Sequence, residues 1–110
     1  MSKEINEIIA LIKKFRDERD WGKFHDAKNL AICLNLEASE LLEIYLWKNN
    51  GEEDVKKVEN ELADVFYSAF LLLDKYNLDL KKIITDKLRE NEMKYPVEKA
   101  KSSNKKYAEL

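Results

Sequence analysis

The chain has 110 residues, of which 45% are hydrophobic and 38% charged, and its net charge is −2. This composition is too apolar for a disordered chain and too charged for a membrane protein, and it shows no basic excess for binding nucleic acid. With two glycines, one proline and little strand-like alternation, the sequence predicts an all-α fold of a few long helices.

The lone cysteine and the first residues indicate the cellular compartment of the protein. Cys33 cannot form an intrachain disulfide, and its apolar helical surroundings predict a buried thiol. The first seven residues lack the apolar centre of a signal peptide, and no apolar run is long enough to span a bilayer. We therefore expect a cytoplasmic protein without a nucleic-acid or membrane partner.

The first helix is predicted over residues 3–18, where apolar side chains recur at helical spacing between Lys and Glu. A loop containing Gly22 follows over residues 19–28, with Asp26 as the expected N-cap of the next helix. The second helix is predicted over residues 27–48. It is apolar around most of its circumference, so we expect it at the centre of a bundle or in a subunit interface.

Helix-stop and capping residues delimit the rest of the chain. Gly51, at the end of an Asn-Asn-Gly run, predicts a helix stop, and a third helix is expected over residues 53–76. Asp79 can cap a fourth helix over residues 80–94, and Pro96 disfavours helix at Tyr95. Residues 1–110 are interpreted as one domain, with a polar, Lys-rich tail from about residue 96.

Four acids in two matched pairs are candidates for a metal-binding site. Glu37 with Glu40, and Glu61 with Asp64, each lie three residues apart inside apolar stretches, so each pair shares one helix face. Buried carboxylates this close repel one another unless a cation joins them, and residues 30–47 contain no basic side chain. Oxygen ligands suit Mg²⁺, so the pattern predicts a metal site between two helices. The alternative is surface carboxylates that share this spacing by chance.

Other metal centres fit the sequence less well. A di-iron carboxylate bundle needs two Glu-x-x-His steps, and His25 is the only histidine of the chain. A zinc site needs a set of Cys and His ligands, which the chain does not offer. The acids therefore favour a hard divalent cation.

Two further groups of side chains are candidates for substrate binding. Flat aromatic rings can stack on a nucleobase and a histidine can add a hydrogen bond, although large aromatics also serve as hydrophobic caps. A cation, an amide and a phenol at one-turn spacing can hold phosphate or ribose oxygens, although such stripes are more often solvated faces. The first group is Trp21, His25 and Trp47, and the second is Lys87, Asn91 and Tyr95.

Three segments carry a family resemblance: FRDERDWGKFHDAKNLAICLNLEASELLEIYLW, ENELADVFY and KLRENEMKYPVEKAKSSNKKYAEL. With their ExxE and ExxD motifs, they resemble the MazG-like branch of the all-α nucleoside triphosphate pyrophosphohydrolases, particularly the dCTP pyrophosphatase-like members. The resemblance implies Mg²⁺-dependent hydrolysis of a nucleoside triphosphate to the monophosphate and pyrophosphate, with Mn²⁺ as a possible substitute. It also implies a four-helix bundle completed in a homodimer or a dimer of dimers.

The resemblance also implies roles for individual residues. The four acids match the metal-binding and catalytic motif, the Trp21 group matches a nucleotide pocket, and the Lys87 group matches contacts to phosphate or sugar. Ser68 stands where dCTP-preferring relatives carry a tyrosine, with Tyr67 adjacent. The resemblance favours a dCTP-like substrate, whereas this departure from the family's pattern points away from it and leaves dUTP or a damaged nucleotide as the alternative. A helical interaction module without enzyme activity is the rival hypothesis.

Overall fold

The computed structural model describes residues 1–110 and is helical throughout, without a β-strand, so the all-α prediction is confirmed. Four long helices follow one another along the chain, and a fifth short one lies in the tail. Single 3₁₀ turns at Trp21–Phe24 and Tyr107–Glu109 complete the secondary structure. The helices are α1 (Lys3–Glu18), α2 (Ala27–Glu43), α3 (Val55–Lys75), α4 (Leu80–Lys94) and α5 (Val97–Ala100).

Aspartate N-caps begin the helices that carry most of the candidate site residues. The side chain of Asp26 accepts a hydrogen bond from the Asn29 backbone N–H at 2.8 Å, and α2 begins at the next residue. Asp79 caps α4 in the same manner through the Lys81 N–H at 3.1 Å. Each cap satisfies a backbone donor that has no partner within the helix. Both predicted caps are thus confirmed, together with the bounds of α1 and α4.

The second helix is shorter than the sequence predicts, ending at Glu43 and not at residue 48. The N–H groups of Ile44 and Tyr45 bond to carbonyls three residues back, at 3.2 and 3.0 Å, so the chain tightens into turns. Trp47 then takes a left-handed conformation with φ of 65°. The apolar periodicity continues through these turns, and this continuation explains why the sequence pattern overestimates the helix.

The third helix begins at Val55, two residues later than predicted, and it ends at Lys75. The side chain of Asp54 accepts from the Lys56 N–H at 3.0 Å, which makes Asp54 the N-cap. Gly51 has φ of 90°, as expected for a left-handed stop residue, but it lies in the connection between the helices. The polar tail differs from a plain linker because Pro96 starts the short helix α5.

The chain divides into two compact units, residues 1–78 and 79–110. In the first unit, α1 and α2 both pack on α3, and the α2–α3 contact is the most extensive. The buried hydrophobic side chains are few and belong to these three helices: Ile9, Leu30, Leu71 and Leu73. In the second unit, the Tyr95 ring packs edge to face on Tyr107, with ring centroids 6.2 Å apart.

Much apolar surface is left outside this small core. Four hydrophobic side chains are buried, whereas 22 large ones are exposed. Leu30 is the only buried residue of α2, so this helix is not covered on most sides within one chain. Cys33 is exposed, and the prediction of a buried thiol is wrong, because α3 covers only one side of α2. No helix of the chain combines the length and apolarity needed to cross a bilayer.

Candidate active site

The packing of α2 along α3 brings three of the four predicted acids together. One carboxylate oxygen from each of Glu37, Glu61 and Asp64 lies within 4.8 Å of the other two. The Glu37 and Glu61 side chains are half-buried, whereas Asp64 is exposed. The three-residue step in α3 places Glu61 and Asp64 on one face, opposite Glu37.

These acids lack a positive partner within the chain. The Oε2 atoms of Glu37 and Glu61 are both buried without a hydrogen-bond partner. Burial, the nearby carboxyls of Glu40 and Glu61, and the charge of Asp64 raise the pKa of Glu37 to about 7. A site with this electrostatic character favours an added cation or an added proton.

The geometry and the donor chemistry fit a hard divalent cation. Mg²⁺ binds oxygen at about 2.0–2.1 Å, so opposite ligands around one ion lie about 4.2 Å apart. The Glu37, Glu61 and Asp64 oxygens all lie within 4.8 Å of one another, a separation that is compatible with three ligands of one ion. The two orphaned carboxylate oxygens would gain their missing partner in that position.

Glu40 occupies a different position from the other three acids. Its side chain is exposed, and it lies close enough to Glu37 to contribute to the raised pKa of that carboxyl. It is not part of the close cluster, and with Glu61 it lines a polar cavity of about 450 Å³. The four acids thus form a cluster of three with Glu40 at its edge.

A second cavity, of about 510 Å³, lies on the other side of the acids. Glu37 and Asp64 form its acidic wall, and most of its other walls are apolar or aromatic. The Phe15 ring packs edge to face against two other rings of this cavity. Its centroid lies 5.7 Å from that of Trp21 and 6.2 Å from that of Tyr67. The remaining lining residues are Leu11, Ile12, Cys33 and Ser68. An aromatic cavity beside carboxylates suits a flat ring attached to an anionic, metal-bound group.

Helical spacing explains why these lining residues meet the acids. Cys33 lies one turn before Glu37 on α2, and Ser68 lies one turn after Asp64 on α3. Both neighbours line the aromatic cavity, so they fall on the same side of the cluster. Cys33 was not among the predicted site residues, although its spacing from Glu37 was a signal for this position.

The structure separates the three residues of the predicted nucleobase pocket. Trp21 lines the aromatic cavity, whereas Trp47 is 100% exposed in the turn after α2. His25 is half-buried and its Nδ1 atom has no hydrogen-bond partner. Burial and the charge of Arg16 lower the pKa of His25, which favours the neutral imidazole at pH 7. Neither His25 nor Trp47 lines the cavity within this chain.

Of the predicted phosphate- or sugar-binding residues, Lys87 and Asn91 lie on α4 and Tyr95 is its C-cap, and all three belong to the second unit. Lys87 forms an ion pair with Glu90 at 3.3 Å. The Asn91 side chain is half-buried, and its backbone carbonyl accepts a hydrogen bond from the Tyr95 N–H at 2.7 Å. Lys87 and Asn91 lie one turn apart on the same side of the helix. Their contacts with substrate stay a prediction.

Comparison with known proteins agrees with this fold. The model of the MazG-like family matches residues 32–110, and the chain therefore belongs to this family. The chain is 33% identical to dCTP pyrophosphatase 1 of Homo sapiens, over 96% of this chain and 67% of that protein. The rat enzyme of the same name, from Rattus norvegicus, is 31% identical over the same shares.

A solved structure is similar as well. A pyrophosphatase from Archaeoglobus fulgidus superposes with a TM-score of 0.77 and is 33% identical, covering 87% of this chain and 95% of that one. The enzyme class predicted from the sequence, a nucleoside triphosphate pyrophosphohydrolase, is confirmed by the relatives and by this structure. The resemblance to the MazG-like family is confirmed with it.

Proposed function

We propose that this protein hydrolyses a deoxynucleoside triphosphate to the monophosphate and pyrophosphate in a reaction that depends on Mg²⁺. The observation that carries the proposal is the cluster of Glu37, Glu61 and Asp64, whose oxygens converge without a cation of the chain to neutralise them. The metal ion that is bound together with the triphosphate supplies the missing positive charge. The names of the relatives support dCTP-like substrates. Cleansing of the nucleotide pool is the role we propose for this activity.

The side chains have separable roles in this proposal. Glu37, Glu61 and Asp64 would hold the metal, and Glu40 at the edge of the cluster would complete its ligands or orient a water molecule. A bound divalent ion would neutralise phosphate oxygens and make a water molecule more acidic. The chain presents no Ser–His or Cys–His pair near the acids, which is consistent with water as the nucleophile. The main task of the protein is then to position the substrate.

The aromatic cavity is the proposed nucleobase site. Trp21 and Phe15 offer rings for stacking, and the cavity opens beside Glu37 and Asp64. His25 and Trp47 are proposed to contact the nucleotide as well, with Lys87, Asn91 and Tyr95 on its phosphates or sugar. Because Trp47 is fully exposed and does not line the aromatic cavity, we propose that a neighbouring subunit completes its contact with the nucleotide.

We propose a homodimer or a dimer of dimers as the active form. Exposed apolar residues recur at one-turn spacing on the two central helices, Ile32 and Leu36 on α2 and Leu62 and Phe66 on α3. A second copy of the chain would cover this surface and supply the burial that the small core lacks. In this proposal, residues 1–110 act as one catalytic domain within a bundle that the oligomer completes.

The decisive experiment is a panel of nucleoside triphosphates assayed for released pyrophosphate with Mg²⁺, with Mn²⁺ and with EDTA. We expect pyrophosphate release with either metal, none with EDTA, and the highest kcat/KM for a dCTP-like substrate. A higher value for dUTP or for a damaged nucleotide would keep the chemistry and change the substrate. No release from any nucleotide would contradict the proposal.

Two matched variants on α3 assign the activity to the acids. Glu61→Gln removes one charge of the cluster, so it is expected to abolish most of the metal-dependent activity. Glu59→Gln is the control, because Glu59 is exposed and pairs with Lys56 at 3.5 Å. Equal activity in the two variants would exclude Glu61 from the site. The rival interaction module predicts no Mg²⁺-linked rise in thermal stability, whereas a ligand of the native state raises it.

A further inference from the structure

Ser68 is the only buried polar residue of the chain, and its hydroxyl group has no hydrogen-bond partner. The residue is 3% exposed, lies within α3 and lines the aromatic cavity. Its hydroxyl forms no hydrogen bond within the chain. A buried polar group without a partner is costly in a native structure, and few are found. The Ser68 hydroxyl therefore requires a partner that enters the cavity.

The two other hydroxyl-bearing side chains inside the long helices both have a partner in their own helix. The Ser39 hydroxyl donates to the Asn35 carbonyl at 3.0 Å. The Thr85 hydroxyl donates to the Lys81 carbonyl at 2.6 Å. Any serine or threonine within a helix can form this bond to the carbonyl four residues earlier. Because Ser68 does not form it, its hydroxyl is available to a ligand in the cavity.

The position of Ser68 along α3 indicates which part of a nucleotide it would contact. Glu37 and Asp64, two of the proposed metal ligands, form the acidic wall of the cavity. Cys33 and Ser68 have the two smallest side chains of the lining, and each lies one turn from one of these acids. The sugar of a nucleotide is joined directly to the α-phosphate. With that phosphate at the acids, the sugar would lie beside Cys33 and Ser68.

We propose that Ser68 binds the sugar of the substrate, and that its hydroxyl group forms a hydrogen bond with the 3′-hydroxyl of that sugar. This assignment rests on the proposed function, because it concerns the same substrate. A deoxynucleoside triphosphate has a single free sugar hydroxyl, the one on the 3′ carbon, so this group is the available partner. A hydroxyl group can both donate and accept, so either group can be the donor. Ser68 then makes the protein selective for nucleotides that carry a 3′-hydroxyl.

The test compares a deoxynucleoside triphosphate with its 2′,3′-dideoxy analogue, which lacks the 3′-hydroxyl, in the wild-type protein and in two serine variants. Ser68→Ala removes the proposed partner. Ser39→Ala is the matched control, because the Ser39 hydroxyl is exposed and bonds to its own helix. In the wild-type protein, we expect kcat/KM to be roughly 3- to 10-fold lower for the dideoxy analogue, which corresponds to the loss of one uncharged hydrogen bond.

Ser68→Ala should show the same loss with the deoxynucleotide and no further loss with the dideoxy analogue, because the two changes remove the two ends of one bond. Ser39→Ala should keep the wild-type ratio between the two substrates. A wild-type ratio near one would overturn the assignment, whether or not Ser68→Ala folds. A ratio as large in Ser68→Ala as in the wild-type protein would also overturn it, since another group would then bind the 3′-hydroxyl.

Alkylation of Cys33 measures the same contact without hydrolysis. Cys33 is exposed, lines the cavity and is the only cysteine of the chain, so its rate of reaction with N-ethylmaleimide reports whether the cavity is occupied. We expect a deoxynucleoside monophosphate to slow this reaction more than its dideoxy analogue does in the wild-type protein. In Ser68→Ala, the two monophosphates should protect Cys33 equally.

The outcomes for the sugar contact and for the proposed function can be told apart. If the wild-type protein hydrolyses nucleotides but neither kcat/KM nor Cys33 protection depends on Ser68, the sugar contact is overturned and the proposed function stands. If no nucleotide is hydrolysed but the protection of Cys33 depends on both Ser68 and the 3′-hydroxyl, the sugar contact stands and the proposed function falls. Absence of both hydrolysis and protection would overturn both.

Discussion

Glu37 is the residue whose surroundings most disfavour its charge. Its pKa is raised from 4.5 to about 7, by burial first and then by its acidic neighbours. Between these pH values the folded protein holds a proton that the unfolded chain releases. The contribution of Glu37 to stability is therefore lost as pH rises from about 4.5 to about 7 in the absence of metal.

We predict that Glu37→Gln becomes progressively more stable than the wild-type protein over this pH range in EDTA, because glutamine does not ionise. Thermal melts of both proteins at a series of pH values measure the difference in melting temperature. Saturating Mg²⁺ at neutral pH should raise the melting temperature of the wild-type protein and reduce this difference. A difference that stays constant with pH in EDTA would contradict the electrostatic interpretation of the cluster.

The two tryptophans are predicted to act on the nucleotide in different ways. Trp21→Ala removes an aromatic wall of the cavity, and losing one base-stacking contact should raise KM roughly 5- to 150-fold. Trp47→Ala should raise KM only in the oligomer, because its side chain touches nothing in one chain. Kinetics with two nucleotides that differ only in the base test both residues.

Lys87→Ala is the control for these aromatic variants, because losing a contact to phosphate or sugar weakens the binding of all triphosphates alike. Unchanged affinity and base preference in a folded Trp21→Ala variant would show that Trp21 is a hydrophobic cap. A change of base preference in Lys87→Ala would contradict the proposed contact of that residue.

At the scale of elements, α2 depends on a single side chain for its start. Asp26 caps it through the Asn29 N–H, and the helix carries Glu37 and Glu40 further along. We predict that Asp26→Ala lowers the free energy of unfolding by about 0.5–2 kcal/mol, whereas Asp26→Asn keeps an acceptor and costs less. Urea unfolding measures both variants. Equal loss in the two would show that the cap hydrogen bond does not stabilise α2.

Helix ends also show where sequence patterns succeed and where they fail. The aspartate caps of α2 and α4 were predictable because capping is local chemistry between a side chain and the next turn. The end of α2 was not predictable, because its apolar period continues into turns whose hydrogen bonds shift to three-residue spacing. Only the folded backbone distinguishes the two arrangements.

At the scale of the whole molecule, the exposed apolar surface supports the proposed oligomer. With four buried hydrophobic side chains and 22 large exposed ones, a single chain leaves most of its large apolar residues in contact with water. We predict a mass above the 13.0 kDa of one chain in light scattering at micromolar concentration. Leu36→Glu and Phe66→Glu, on the exposed faces of α2 and α3, should shift the protein toward smaller species.

Lys3→Glu is a suitable control for these interface variants, because its side chain is 92% exposed near the start of α1. It changes surface charge without touching the apolar faces of the central helices. A mass of one chain for the wild-type protein would contradict the oligomer. An unchanged mass in both interface variants would place the contact on another surface.

The sequence by itself determined the helical class, most helix bounds and the pairing of acids, because helical periodicity, capping and i, i+3 spacing are local properties. The tertiary structure decided which groups meet. Packing of α2 on α3 joined Glu37 to Asp64 and left Glu40 at the edge. It also placed Cys33 on a cavity and left Trp47 exposed. Such outcomes depend on how two helices are aligned against each other, and neither helix encodes that alignment alone.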